Sequence, residues 1–281
     1  MRALNILSVA ILAVPLVALA SDGTFDKTLT VNGAAQLYVS TGSGYVHVSP
    51  GSDNQIHVVG HVHANHGWLG GSSDEAVKQA VDNPPIQQSG NTVRIGGKHE
   101  SWFEHVSIDY DISAPKSTQL KAESGSGDLK VSSMQGGSRL ETGSGVIYAQ
   151  DLAGDTYMQT GSGDVRGSFN GDGNVTVGAG SGTIRLTGVK GGLKAETGSG
   201  DISIAGQPVS MWKIEAGSGS IDLNLGGAKF TLDAETGSGS VHTDQPISMQ
   251  GSLDKHHITG NVNGGGPTVK VETGSGSIRI H

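Results

Sequence analysis

The chain has no cysteine in its 281 residues. Disulfide staples, thiolate metal ligands and a lipid-modified N-terminal cysteine are therefore excluded, and stability has to come from burial and strand pairing. Aromatic residues make up 4% and the net charge is −8. Such a chain lacks the basic, aromatic face that phosphate neutralisation and base stacking require, which argues against a nucleic-acid partner. Apolar runs of membrane length are missing as well. The longest, Ile6 to Leu19, is interrupted by Ser8 and Pro15 and is too short for a span. With Arg2 ahead of it and Ala18-Leu19-Ala20 before Ser21, it reads as a secretory signal over residues 1–20, cleaved near Ala20. The expected mature protein is exported, periplasmic or secreted to the cell surface, and does not span the membrane. No G-x-S-x-G elbow or G-x-x-x-x-G-K loop occurs.

What the chain has in abundance is glycine, 46 residues of it, concentrated in a recurring T-G-S-G string or a close variant. The central serines are Ser43, Ser126, Ser144, Ser162, Ser181, Ser199, Ser218, Ser238 and Ser275, and from Ser126 on they are 18, 18, 19, 18, 19, 20 and 37 residues apart. A near-constant period of this size marks a stacked solenoid, in which each coil's apolar face is covered by its neighbours. After each turn an aliphatic position recurs, as in Leu129, Ile147, Val165, Ile184, Ile202 and Ile221, followed by a mostly polar residue such as Lys130, Arg166 or Arg185 and then a second inward position. Before the turn, Leu37, Leu120, Val175, Leu193, Trp212, Leu232 and Val269 alternate with Val39, Ala122, Val177, Ala195, Ile214, Ala234 and Val271. This is the period of two expected of half-buried strands. The pattern predicts an all-β, single-domain parallel β-solenoid (β-helix) of roughly ten 18–20-residue coils, with glycine at corners where φ is positive.

The repeat vanishes between Ser43 and Ser126, which predicts irregular N-terminal coils and a cap over residues 21–115, ahead of the regular solenoid over 116–281. One short helix is expected at 74–81, with Ser72 and Glu75 at capping-box spacing and Ala76, Val77, Ala80 and Val81 on one side. Seven of the eleven histidines fall in this third. His61 and His63 share a strand face, so a divalent metal could be held by His61, His63 and a third ligand, His66, His99 or Glu104; a solvated polar face is the competing account. Trp68 and Trp102 are candidate ligand- or partner-binding residues, or parts of a capping cluster. No other cofactor is expected.

The G-S-G-D strands at Asp128-Leu129, Asp164-Val165 and Asp201-Ile202, preceded by Ile108-Asp109-Tyr110-Asp111-Ile112-Ser113-Ala114-Pro115, resemble the bacterial putative-adhesin β-strand-repeat family and, more distantly, the head-domain family of autotransporter adhesins. The resemblance implies an extracytoplasmic β-solenoid and brings no catalytic residues.

Nine equivalent turn serines cannot all be activated by one base, so a small residue at a tight corner explains them better than a nucleophile. A row of glutamates, Glu123, Glu141, Glu196, Glu215, Glu235 and Glu272, stands two residues from Lys121, Arg139, Lys194, Lys213 and Lys270, and reads as a charged surface with lysines and glutamates paired from coil to coil. The chain therefore reads as a non-catalytic, adhesin-like structural or binding module of the cell envelope, its partner an envelope polymer or protein. The alternatives are a metal- or ligand-binding sensor using the histidine-rich third and, behind it, a polysaccharide-active β-helix enzyme. Ile258 to Val262 reads as a degenerate coil. Ending directly after a strand, Ile278-Arg279-Ile280-His281 predicts an open last coil that is closed either by a partner or by self-association with a second copy.

Overall fold

The computed structural model describes residues 22–65, 73–97, 105–248 and 254–281. The signal segment, His66, Trp68, Ser72, His99, Trp102 and Glu104 lie outside the described residues. The fold is all-β: a 12-stranded and a 13-stranded sheet enclose one continuous hydrophobic core, and each coil contributes one strand to each sheet. Among the described residues ten strands of each sheet run parallel, which is the coil number read from the repeat.

Alternation fixes the register. In the first sheet Val46, Leu129, Ile147, Val165, Ile184, Ile202 and Ile221 stack coil over coil, all buried. In the second, Val39, Ala122, Leu140, Met158, Val177, Ala195 and Ile214 do the same. Branched side chains suit the pleat, and each large aliphatic one contributes about 1.5–3 kcal/mol on burial. A one-residue slip would turn a whole row to solvent, so the register is strongly specified.

Coil order in space departs from chain order at both ends. The coil built from Gln36–Thr41 and Val46–Pro50 is second, because Thr92–Gly96 and Val106–Ala114 add outside it as the first. At the other end Thr268–Ser275 and Ile278–Ile280 insert between Trp212–Ser218 with Ile221–Asn224 on one side and Phe230–Ser238 with Val241–Thr243 on the other. The C-terminal coil is therefore paired on both faces, and the expected open edge at Ile278–Ile280 is not there. At this end of the 12-stranded sheet Val241–Thr243 is the edge strand.

Antiparallel strands close the remaining ends. His257–Val262 pairs antiparallel with Phe230–Ser238 and carries Ile247–Ser248 outside it, so the expected degenerate coil is a cap strand. At the N-terminal end Gln55–Ala64 pairs antiparallel with Val106–Ala114, and Asp22–Thr30 pairs antiparallel with Gln55–Ala64. Helix Ser73–Asp82 lies against these three strands and buries Ala76, Val77 and Ala80.

Candidate functional site

The residue that organises most corners is the threonine or serine before G-S-G. Its side chain is buried, whereas the turn serine is exposed. Thr142 Oγ1 donates to the Gly127 carbonyl of the coil below at 3.0 Å, Thr160 to Gly145 at 3.1 Å, Thr197 to Gly182 at 3.2 Å, Thr273 to Gly219 at 2.9 Å and Thr236 to Gly276 at 2.8 Å. Ala179 and Ala216 occupy the same row without this bond. Glycine is required chiefly by close approach. A Cβ on Gly145 would stand 2.1 Å from the Gly127 oxygen, and one on Gly182, where φ is +151°, 2.0 Å from the Gly163 oxygen. The aspartates after the turn also join coils: Asp128 accepts from the Val146 N–H at 2.8 Å, Asp164 from Thr183 at 3.0 Å and Asp201 from Ser220 at 2.8 Å.

On the 13-stranded sheet the outward lysines and glutamates pair within one strand, not between coils as expected. Lys121–Glu123, Lys194–Glu196, Lys213–Glu215 and Lys270–Glu272 close at 2.6–2.7 Å, and Arg139 pairs with Glu141. Residues two apart project side by side from one face, and the basic member always precedes the acidic one. The Lys194 hydrogen bond holds the Glu196 carboxyl below the ordinary range, while Glu196 in turn raises the Lys194 ammonium. Such exposed pairs contribute little to stability.

The histidines face aspartates. His61 and His63 do share one face of Gln55–Ala64, as their spacing implies, and the face meets Asp109 and Asp111 across the antiparallel pairing. His63 lies 3.1 Å through Nδ1 from Asp22 and 3.2 Å through Nε2 from Asp109, and a neutral ring could donate to only one of the two. His61 Nε2 is 3.5 Å from Asp111, which also receives the Tyr45 hydroxyl at 2.8 Å and stands 3.1 Å from His47 Nδ1. Burial, with the bond to Asp111, pushes the Tyr45 hydroxyl up to about 12. His57 meets Asp26 at 2.8 Å. Among the described residues no group of three or more His, Asp or Glu side chains has an arrangement that could hold a metal ion. The sequence signal for these partners was present in Asp109 and Asp111, but their register against His61 and His63 was not.

A second grouping escaped sequence reasoning. On the outward face of the 12-stranded sheet, Lys130, Tyr148, Arg166 and Arg185 stand in register on four successive coils and line a shallow groove of about 330 Å³.

Several solved structures are similar to this chain. Among them are a putative adhesin from Bacteroides fragilis (15% identity, TM-score 0.44, 92% of this chain and 97% of that one), a putative cell adhesion protein from Clostridium sporogenes (15%, 0.25, 92% and 99%) and a putative lipid binding protein from Parabacteroides distasonis (11%, 0.31, 92% and 96%). The comparison with curated proteins finds no match. The Toastrack DUF4097 family model matches residues 27–281, from the first strand of the cap to the last residue of the inserted coil, and the chain belongs to that family.

Proposed function

We propose that the protein is a non-catalytic binding module of the bacterial envelope, exported by its N-terminal signal, in which the solenoid serves as a stiff, adhesin-like rod that presents side chains at coil spacing. One observation carries this reading. The corner residues with chemical potential, the threonine of most coils and the aspartate of three, are engaged in coil-to-coil hydrogen bonds, so the repeat builds the column rather than a reaction centre. What varies from coil to coil is the outward row, and variation there suits recognition of an extended partner.

The test has two parts. Expression of the full chain with its own leader, followed by fractionation and N-terminal sequencing, is expected to yield a processed product beginning at Ser21 outside the cytoplasm. The fluorescently labelled mature chain is expected to bind isolated cell envelopes saturably and to release no soluble sugar or peptide from them. An unprocessed cytoplasmic product, or envelope material degraded at a rate proportional to added protein, would overturn the proposal.

A further inference from the structure

We propose that the groove over Leu129–Ser132, Ile147–Leu152, Val165–Phe169 and Ile184–Val189 docks an extended polysaccharide that carries carboxylates. This deepens the binding-module reading and rests on it.

Charge is the first argument. The protein is acidic overall, and five cations of the opposite sheet are neutralised by a glutamate two residues away. In the groove the pattern breaks. Among the described residues Lys130 and Arg185 have no ion-pair partner, and Arg166 pairs with Asp164 through Nη2 at 3.0 Å while Nη1 reaches the Tyr148 hydroxyl at 3.3 Å. Of the carboxylates near the groove, Asp128 and Asp164 each turn an oxygen to a backbone N–H of the next coil, and Asp151 accepts from the Ser168 hydroxyl at 3.5 Å. Guanidinium groups favour carboxylates because their donors match both oxygens at once.

Spacing is the second. Parallel register sets the row at one side chain per coil, about 4.8 Å apart, so the cations form a straight line and not a cluster. A line of charges on a flat face fits a polymer with repeated charges better than a compact ligand, since each added contact is made at high effective concentration.

The third argument is the chemistry alongside. Gln150 and Thr187 line the groove beside the cations and offer amide and hydroxyl partners to sugar hydroxyls. Tyr148 supplies one ring, with Arg166 5.5 Å from its centroid, and an amphipathic ring suits the C–H face of a sugar. Single-stranded nucleic acid would call for successive stacking rings and a wider basic track. A peptide adding as a strand would need a free sheet edge, whereas these four strands are paired on both sides.

The experiment is calorimetric titration of the full chain with an oligogalacturonate of about ten sugars, long enough to cross four coils at the strand spacing. The methyl-esterified oligomer and inorganic polyphosphate serve as comparison probes. Saturable binding is expected that disappears on esterification and weakens as salt rises. Arg185→Ala and Lys130→Ala are each expected to weaken it about tenfold, the loss typical of one important charged contact. Tyr148→Ala should act likewise while Tyr148→Phe retains binding within about threefold, because the ring is kept. Lys194→Ala, on the opposite sheet, should leave it unchanged. Circular dichroism identical to the parent verifies folding of each exposed variant. No binding, equal binding of the esterified oligomer, polyphosphate binding through the same residues with equal affinity, or insensitivity to Arg185→Ala and Lys130→Ala would each overturn the proposal. If envelopes are bound but oligogalacturonate is not, the groove assignment fails while the binding-module reading stands; failure of envelope binding strikes that reading itself.

Discussion

Replacing one buried threonine with valine separates two kinds of corner. Thr142 makes two bonds: its hydroxyl donates to the Gly127 carbonyl at 3.0 Å and accepts from the Gly145 N–H at 3.1 Å. Thr197 donates to Gly182 at 3.2 Å, but the equivalent amide, that of Gly200, is bonded to the Ser218 carbonyl of the next coil at 2.9 Å. Valine preserves shape and removes the hydroxyl. Each lost bond costs about 1 kcal/mol net, and more when a buried group is left without a partner. Thr142→Val is therefore expected to lose about 2–3 kcal/mol and Thr197→Val about 1 kcal/mol. Urea unfolding gives the ranking, and amide exchange gives the locality that a repeat array requires, because its unfolding need not be two-state. The Gly145 amide should exchange at least tenfold faster in Thr142→Val, tenfold being about 1.4 kcal/mol, while the Gly200 amide in Thr197→Val keeps most of its protection. Thr142→Ser, which retains both bonds, controls for the loss of a methyl group. Equal losses for the two valine variants, or an unchanged Gly145 amide, would refute the assignment of the corner bonds.

The converse change, Ala216→Thr, supplies the hydroxyl that its neighbours Thr197 and Thr273 carry and should stabilise by about 0.5–1.5 kcal/mol, read as a higher urea midpoint. Gly145→Ala drives a Cβ into a backbone oxygen and should lower the melting temperature by several degrees, whereas Gly42→Ala, with nothing within 4 Å of its Cβ, should not. Ile202→Asp buries a carboxylate between Ile184 and Ile221 and should unfold the adjoining coils, visible as lost strand signal in circular dichroism. His281 sits 2.7 Å from Asp244 and 3.5 Å from Asp222, with His242 2.9 Å from Asp244. The Asp244 hydrogen bond raises His281, and His281 in turn lowers Asp244. The histidine's contribution is complete below its ordinary 6.5 and is lost as pH rises through the raised value. The aspartate's is complete above its ordinary 3.8 and is lost as pH falls through the lowered one. This end should therefore be held most firmly between about pH 4 and 6.5. An NMR titration showing His281 at or below 6.5 would contradict it.

Alternation and glycine punctuation carried the column, because both are enforced by neighbours that repeat: an inward Ile184 implies an inward Ile202 one period later. The coil exchange at the two ends was not legible, since Val241 and Ile278 follow identical corners and nothing local says which stacks on Ile221. The only trace was in spacing, the long gap after Ser43 and the step of 37 before Ser275. The corner threonine was overlooked for a similar reason. It and the serine recur together, and only burial distinguishes the hydroxyl that links coils from the one that faces water. The lysine and glutamate rows left both pairings sterically open, two residues along a strand or one coil across, and the structure adopts the shorter reach.

The exchanged order also bears on how the column ends. A solenoid whose last coil is also its chain end has a rung held by one neighbour, and such ends fray. Here Ile278–Ile280 has Ile221–Asn224 on one side and Val241–Thr243 on the other, so releasing it breaks two ladders. The outermost rung, Phe230–Ser238, is in turn continuous with chain on both sides and is covered by His257–Val262. Gln36–Thr41 is held between Thr92–Gly96 and Gln119–Ser124 in the same way at the other end. Among the described residues antiparallel strands cover the parallel rungs at three of the four sheet ends, and the longest of the outermost ones, Asp22–Thr30, packs against helix Ser73–Asp82. At this end of the 12-stranded sheet the edge strand, Val241–Thr243, is three residues long, with His242 exposed and bonded to Asp244. An edge this short offers a second copy few free backbone groups to pair with.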